Sequence, residues 1–320
     1  MKLLITGGAG YIGSVVADRL LADGHQVVVV DDLSSGHWDA VPAAAELVVG
    51  GMAAAAELLV DDERFDGVVH LAARSLIDHS VSSPETYWQG NTVETLHLLG
   101  AMRVAEVPRL VFSSTAATYG QPEQLPIAEH APTTPTNPYG ASKLAADLAI
   151  SAYARAYSIG AVSLRYFNVA GAVGRFGERH DPETHLIPLA LDAALGLRPE
   201  IEVFGADYAT ADGSCVRDFI HVADIADAHV AALASAEPGT HQIYNLGNGT
   251  GFTVLEVLGA VEEVTGRAVP RRIGARRPGD PETLIASNQL VRTALGWSPA
   301  RSTLQEMIED AYRFRTEQCR

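Results

Sequence analysis

A chain of 320 residues that is 47% hydrophobic and 19% charged, with 29 Gly and 16 Pro on no fixed period, has a globular composition; collagen-like, coiled-coil and disordered classes are excluded. The length fits one large α/β unit or two domains sharing a core. A net charge of −16 repels a phosphate backbone, so nucleic acid is not an expected partner.

The first apolar run, Leu3 to Ile5, is too short for a signal-peptide core and no later stretch approaches a membrane span, so neither secretion nor a membrane partner is expected. Two cysteines, Cys215 and Cys319, make no disulfide framework, and a reducing cytoplasm is the expected location. The run Leu3–Ile5 ends in glycines and Val27–Val30 ends in Asp31-Asp32, with a helical pattern from Tyr11 to Asp23 between them, which spells a βαβ unit. The Ala-rich stretch from Ala40 to Ala56 reads as helix filler. Apolar runs at Leu47–Val49, Val68–Leu71, Leu110–Phe112 and Val162–Leu164 continue the alternation and predict a parallel sheet covered on both faces. Tyr87–Ala105 and Tyr139–Ala156 are predicted as long helices. After Asn168 the alternation is lost and a second, smaller lobe is expected. Val222–Leu233 and Gln242–Asn245 bring the chain back to the sheet, so the lobes interleave.

Gly7, Gly10 and Gly13 lie at three-residue spacing between the first strand and the first helix, where backbone must approach a pyrophosphate on a helix N-terminus. Asp31 ends the next strand 18 residues after Gly13, placed to accept both ribose hydroxyls and to repel a 2′-phosphate, which predicts NAD rather than NADP. Tyr139 and Lys143 share one helix face, where an ammonium can stabilise a phenolate and make it a base near neutral pH. Lys143 is one of two lysines in a chain with 21 arginines, and a compact ammonium is not replaceable by a guanidinium. Ser113, Ser114 and Thr115 close a strand at the carboxyl edge of the sheet, where α/β ligands bind.

In Thr6–Gly13, Asp31, Ser113–Thr115 and Tyr139/Lys143 the sequence resembles the extended short-chain dehydrogenase/reductase family. Phe112–Gly120, Leu164–Asn168, Val216–Val222 and Arg276–Asp280 extend the likeness to its branch of NDP-sugar 4-epimerases over nearly the whole chain. The resemblance implies a Rossmann-type doubly wound parallel sheet with a smaller interleaved α/β lobe. The NAD part would be 1–167 plus about 222–246 and the nucleotide-sugar part 168–221 plus about 247–320. It implies Tyr139 as acid/base, Lys143 on the nicotinamide ribose, and Thr115 in a place usually held by Ser. Around NAD it implies Tyr11, Ile12, Asp32, Leu33, Ser34, Ser35, Gly36, Gly51 and Met52, then Leu71, Ala72, Ala73, Ser75, Asn91, Ser113, Ser114 and Phe167. On the sugar-nucleotide side it implies Ser75, Thr115, Tyr139, Asn168, His185, Leu186, Glu202, Val203, Phe204, Asp280 and Leu284, with Arg217 and Arg277 clamping the diphosphate.

The implied activity is interconversion of UDP-galactose and UDP-glucose through a 4-keto intermediate, in a homodimer paired through the two long helices. Other NDP-sugar 4-epimerisations are the nearest alternative. A dehydratase would need a carboxylate after Thr115, where Ala116-Ala117 stands, and a non-catalytic sensor would have no use for Tyr139 and Lys143. Two positions depart from the family. Gly51 stands where an acidic residue often meets the adenine amine. Leu284, of intermediate size, stands at the position gating the sugar's 2-substituent. His180, His185, His221 and Asp224 show no metal-ligand spacing, so no metal is expected, and Cys215 reads as a packed thiol.

Overall fold

The structure, a computed structural model, describes residues 1–61, 64–277 and 280–318, so Cys319 and the middle of the Arg276–Asp280 block lie outside the described residues. The strands are β1 (Lys2–Thr6), β2 (Gln26–Asp31), β3 (Glu46–Val49), β4 (Gly67–His70), β5 (Arg109–Thr115), β6 (Gly160–Tyr166), β7 (Asn168–Ala170), β8 (Ile201–Phe204), β9 (Val216–His221), β10 (His241–Leu246), β11 (Gly251–Thr253), β12 (Arg271–Gly274) and β13 (Thr283–Leu284). The helices are α1 (Tyr11–Ala22), α2 (Met52–Asp61), α3 (Ile77–Ser82), α4 (Pro84–Tyr87), α5 (Glu94–Val104), α6 (Pro138–Tyr157), α7 (Leu186–Ala194), α8 (Val222–Ser235), α9 (Val254–Thr265), α10 (Gln289–Leu295) and α11 (Leu304–Gln318).

Seven strands pair in parallel in the order β10-β6-β5-β4-β1-β2-β3. Residues Val27 to Val30 are all buried, as β-branched side chains covered on both faces must be. One face packs on α1 and α8 through Val15, Leu20, Ile225 and Leu233, the other on α2, α5 and α6 through Leu59, Leu98, Met102 and Ile150. The chain order reverses between β1 and β4, so a crevice opens there at the carboxyl ends of the strands. The architecture is α/β and Rossmann-like. A second group of elements, with β7, β9, β11 and β13 in one sheet and β8 with β12 in another, packs around α7, α9 and α11. α10 and Trp297 instead join the core under α8, so residues 289–297 pack on the large sheet's side.

Two expected elements differ. The Ala40–Ala56 stretch is no single helix: Trp38–Ala40 makes a 3₁₀ turn, Glu46–Val49 is an edge strand, and Gly50-Gly51 separates it from α2. The Tyr87–Ala105 helix is interrupted, because Trp88–Val93 winds as a π-helix between α4 and α5. The cause is Asn91, whose amide donates to the Arg74 carbonyl (3.0 Å) and the Ser142 hydroxyl (3.0 Å). Thr92 also donates to the Ser142 carbonyl, and the wider turn lets both side chains face α6.

Candidate active site

The crevice is a cleft of about 1310 Å³, larger than a drug-sized ligand needs and enough for two nucleotides side by side. Its floor is the β1–α1 turn. Gly7 sits at φ +75°, and a Cβ there would lie 2.5 Å from the Ala72 nitrogen; at Gly13 it would lie 2.1 Å from the Gly7 carbonyl oxygen. Only glycine lets this turn close and present the α1 N-terminus to the cleft. Asp31 is nearly buried. Its two carboxylate oxygens accept the Ala9 and Leu33 N–H groups, each at 2.9 Å, and Asp31 lines the cleft. Burial pushes the carboxyl up, against the pull of those two N–H groups.

Lys143 is 1% exposed, its Nζ 4.2 Å over the Phe112 ring. Burial drives the ammonium down to about 7 while Asp147, one turn along α6, pulls it up. Asp147 is held by the Ser114 hydroxyl at 3.0 Å and by Arg165 at 3.1 Å. Beside them His70 is fully buried and neutral, held down to about 3 by burial and by Lys143. Thr95 gives its hydroxyl hydrogen to the Asn91 carbonyl, so His70 Nε2 donates to Thr95 and Nδ1 accepts from Thr6.

Tyr139, on the first turn of α6, hydrogen-bonds Thr115 and meets Tyr87 edge-on with ring centroids 6.4 Å apart. The expectation of a phenol lowered by Lys143 is not met in this structure. Burial raises the phenol, the Thr115 hydrogen bond lowers it, and the Tyr87 phenol raises it further. Thr115 also accepts the Ala117 N–H at 3.1 Å, which fixes its hydroxyl at the strand end.

On the opposite wall stand Asn168, His185, Leu186, Val203, Phe204, Arg217, Arg277, Asp280 and Leu284. Arg217 forms an ion pair of 2.5 Å with Asp280, and the Arg277 guanidinium lies 4.4 Å over the Phe204 ring. The arginines that flank this wall are largely neutralised. Arg271 pairs with Glu262, Arg272 with Glu200 and Glu202, and Arg276 with Asp207, so Glu202 lines the cleft with its carboxylate turned to Arg272. Leu284 follows Thr283 on β13 and packs against the cluster of Ala116, Tyr119 and Ile127, as Phe167 does.

Of the expected residues only Leu33 and Asn91 are not in the cleft wall. Leu33 holds a φ of 57° and donates to Asp31, and Asn91 braces Arg74 and Ser142 from behind. His221 and Asp224 serve the fold: His221 lies against Asp310 at 3.2 Å, and Asp224 accepts from Ala300, Arg301 and Ser302. Burial pushes the Cys215 thiol up, against nucleophilic use. A group that spacing did not reveal is Glu178, His180, Glu183 and His185, gathered at the start of α7. There burial would lower His185, but Glu178 and then Glu183 hold it up at about 10.

The sequence pattern of the NAD dependent epimerase/dehydratase family matches residues 3–247. The chain is 52% identical over 314 residues to the UDP-glucose 4-epimerase of Corynebacterium glutamicum, covering 98% of this chain and 95% of that one. Its structure superposes on a crystal structure of UDP-glucose 4-epimerase from Brucella ovis in complex with NAD with a TM-score of 0.94, at 42% identity and 98% coverage of both chains. A UDP-glucose 4-epimerase from Bifidobacterium longum in complex with NAD+ and UDP gives 0.93, at 34% identity, over 100% of this chain and 99% of that one.

Proposed function

The chain belongs to the NAD dependent epimerase/dehydratase family, and on that footing we infer that it interconverts UDP-galactose and UDP-glucose with bound NAD. The observation that carries the reading is the convergence of Tyr139, Thr115 and Lys143 in one cleft, followed by Ala116-Ala117 where dehydration would require a carboxylate. NAD supplies a hydride acceptor and donor for C4 when bound. Everything else falls to the chain. The glycine turn and Asp31 would hold the dinucleotide, and Lys143 would hold the nicotinamide ribose. Tyr139 takes the proton of the 4-hydroxyl and later returns it, with Thr115 bridging sugar and phenol. Arg217 and Arg277 hold the diphosphate, and Phe204 and Leu186 border it.

The NAD part is assigned to 1–167 with about 222–246 and the sugar-nucleotide part to 168–221 with about 247–320, apart from α10 and Trp297, which pack under α8. Among the described residues no helix is long and apolar enough to cross a membrane. A cytoplasmic enzyme is the reading that the two cysteines support. A homodimer is assigned on the adjacent α5 and α6, which expose Leu96, Val104, Leu148 and Tyr157. An absorbance scan of the purified protein before and after UDP-galactose tests the reaction: transient reduction of bound NAD without net NADH is the expected result. A protein that holds NAD and UDP-sugar but never shows that transient is not an epimerase.

A further inference from the structure

The segment between β7 and α7 crosses from one half of the molecule to the other. Arg179 pairs with Asp39 at 2.8 Å, His37 Nε2 meets the Arg179 carbonyl at 3.0 Å, and Arg175 donates to the Val41 carbonyl at 2.8 Å. Held on that strap, Glu178 and His180 meet Glu183 and His185, the residues that lead into α7. His180 Nδ1 and His185 Nδ1 both aim at Glu178 Oε1, at 3.0 and 2.5 Å, and lie 3.9 and 3.4 Å from Glu183 Oε1. The ligand atoms of all four side chains lie within 4.8 Å of one another.

We propose that Glu178, His180, Glu183 and His185 form a site for one divalent transition-metal ion of the zinc type. Bonds of about 2.0–2.2 Å to nitrogen and oxygen place tetrahedral ligands roughly 3.3–3.6 Å apart; three of the four imidazole–carboxylate separations are within about half an ångström of that range, and the other two pairs lie within 4.8 Å. Of these contacts the Glu178–His185 one, at 2.5 Å, has to open. Two carboxylates balance a divalent charge and two imidazoles suit zinc over calcium or magnesium. The ion takes the place of the protons that the imidazoles share with the carboxylates. The backbone already orients one ligand, because Glu183 Oε1 accepts the Thr184 and His185 N–H groups at 2.7 and 2.9 Å. Bound there, the ion ties the strap to the α7 N-terminus and fixes the His185 ring through Nδ1.

The test is a Co²⁺ titration of tag-free, chelator-treated holoprotein, followed by visible absorption. The expected result is a tetrahedral Co²⁺ spectrum that saturates at one ion per chain and is bleached by one equivalent of Zn²⁺. A His180→Ala/Glu183→Gln double variant, with metal-free melting temperature like the parent's, should lose Co²⁺ affinity at least about 100-fold. No tetrahedral band in the parent, or an undiminished band in the variant, overturns the site. A weak octahedral spectrum that never saturates identifies adventitious surface binding and overturns it equally.

Discussion

At the scale of single residues the reaction depends on Tyr139, and Tyr139→Phe should keep the fold and NAD while lowering turnover about 10²- to 10⁴-fold. Steady-state rates on UDP-galactose check it; near-parental turnover removes the assignment. The buried phenol sits above the usual tyrosine range here, and positive charge added at the nicotinamide would lower it. Ultraviolet difference titration should find its ionisation lower in NAD⁺-loaded protein than in NAD-free protein. Lys143 carries a cost of its own. With a folded value near 7 and an unfolded value near 10.4, the unfolded chain binds the extra proton between those values, so stability from this group rises with pH across that window. Lys143→Met should abolish most turnover yet flatten that rise in the melting temperature of the NAD-free protein. Gly51 is exposed, with nothing within 4 Å of a built Cβ, so Gly51→Asp fits without strain. A new acceptor for the adenine amine should slow NAD release by about 2- to 10-fold, measured by dialysis or fluorescence. Leu284→Ala widens the cleft that Leu284 lines, and relative catalytic efficiency on UDP-N-acetylglucosamine should rise by roughly 10- to 200-fold. An unchanged ratio of efficiencies means that Leu284 does not gate the sugar.

Among the elements, α5 and α6 lie side by side and leave Leu148 65% exposed. A face of that kind, continued by Leu96 and Tyr157, predicts a dimer at micromolar concentration in sedimentation velocity. Leu96→Glu/Leu148→Glu should sediment as a monomer. Elements also show what the sequence reveals and what it conceals. β1, β2, β5 and β6 are legible because buried parallel strands must be almost wholly apolar, and Val27 to Val30 leave no other reading. The π-helix at Trp88–Val93 is not legible, since its cause is a contact of Asn91 with residues 17 and 51 positions away. The Gly7–Gly13 turn, Asp31 and the Tyr139/Lys143 pair are local in sequence, so their spacing carries them to the cleft. Glu178, His180, Glu183 and His185 meet in a loop with no period to betray it. The charges of Arg271, Arg272 and Arg276 are spent on acids that spacing cannot assign.

The whole molecule is strongly acidic, yet Arg217 and Arg277 are among the residues that line the cleft. At −16 overall it keeps Arg217 and Arg277 at the cleft, so binding of a UDP-sugar should weaken as salt screens them, over a Debye length of about 8 Å at physiological ionic strength. The large sheet supplies the switch-point crevice for NAD, and the smaller sheets bring the opposite wall to within one sugar nucleotide of it. Such a cleft oxidises and reduces the same carbon without releasing the intermediate. The direct test is to incubate the purified holoprotein with UDP-galactose, without added NAD, and to resolve the nucleotide sugars. UDP-glucose should accumulate to equilibrium over many turnovers per chain, with no net NADH. Accumulation of a 4-keto-6-deoxy sugar nucleotide, or of no product by folded protein that retains NAD, would contradict the account.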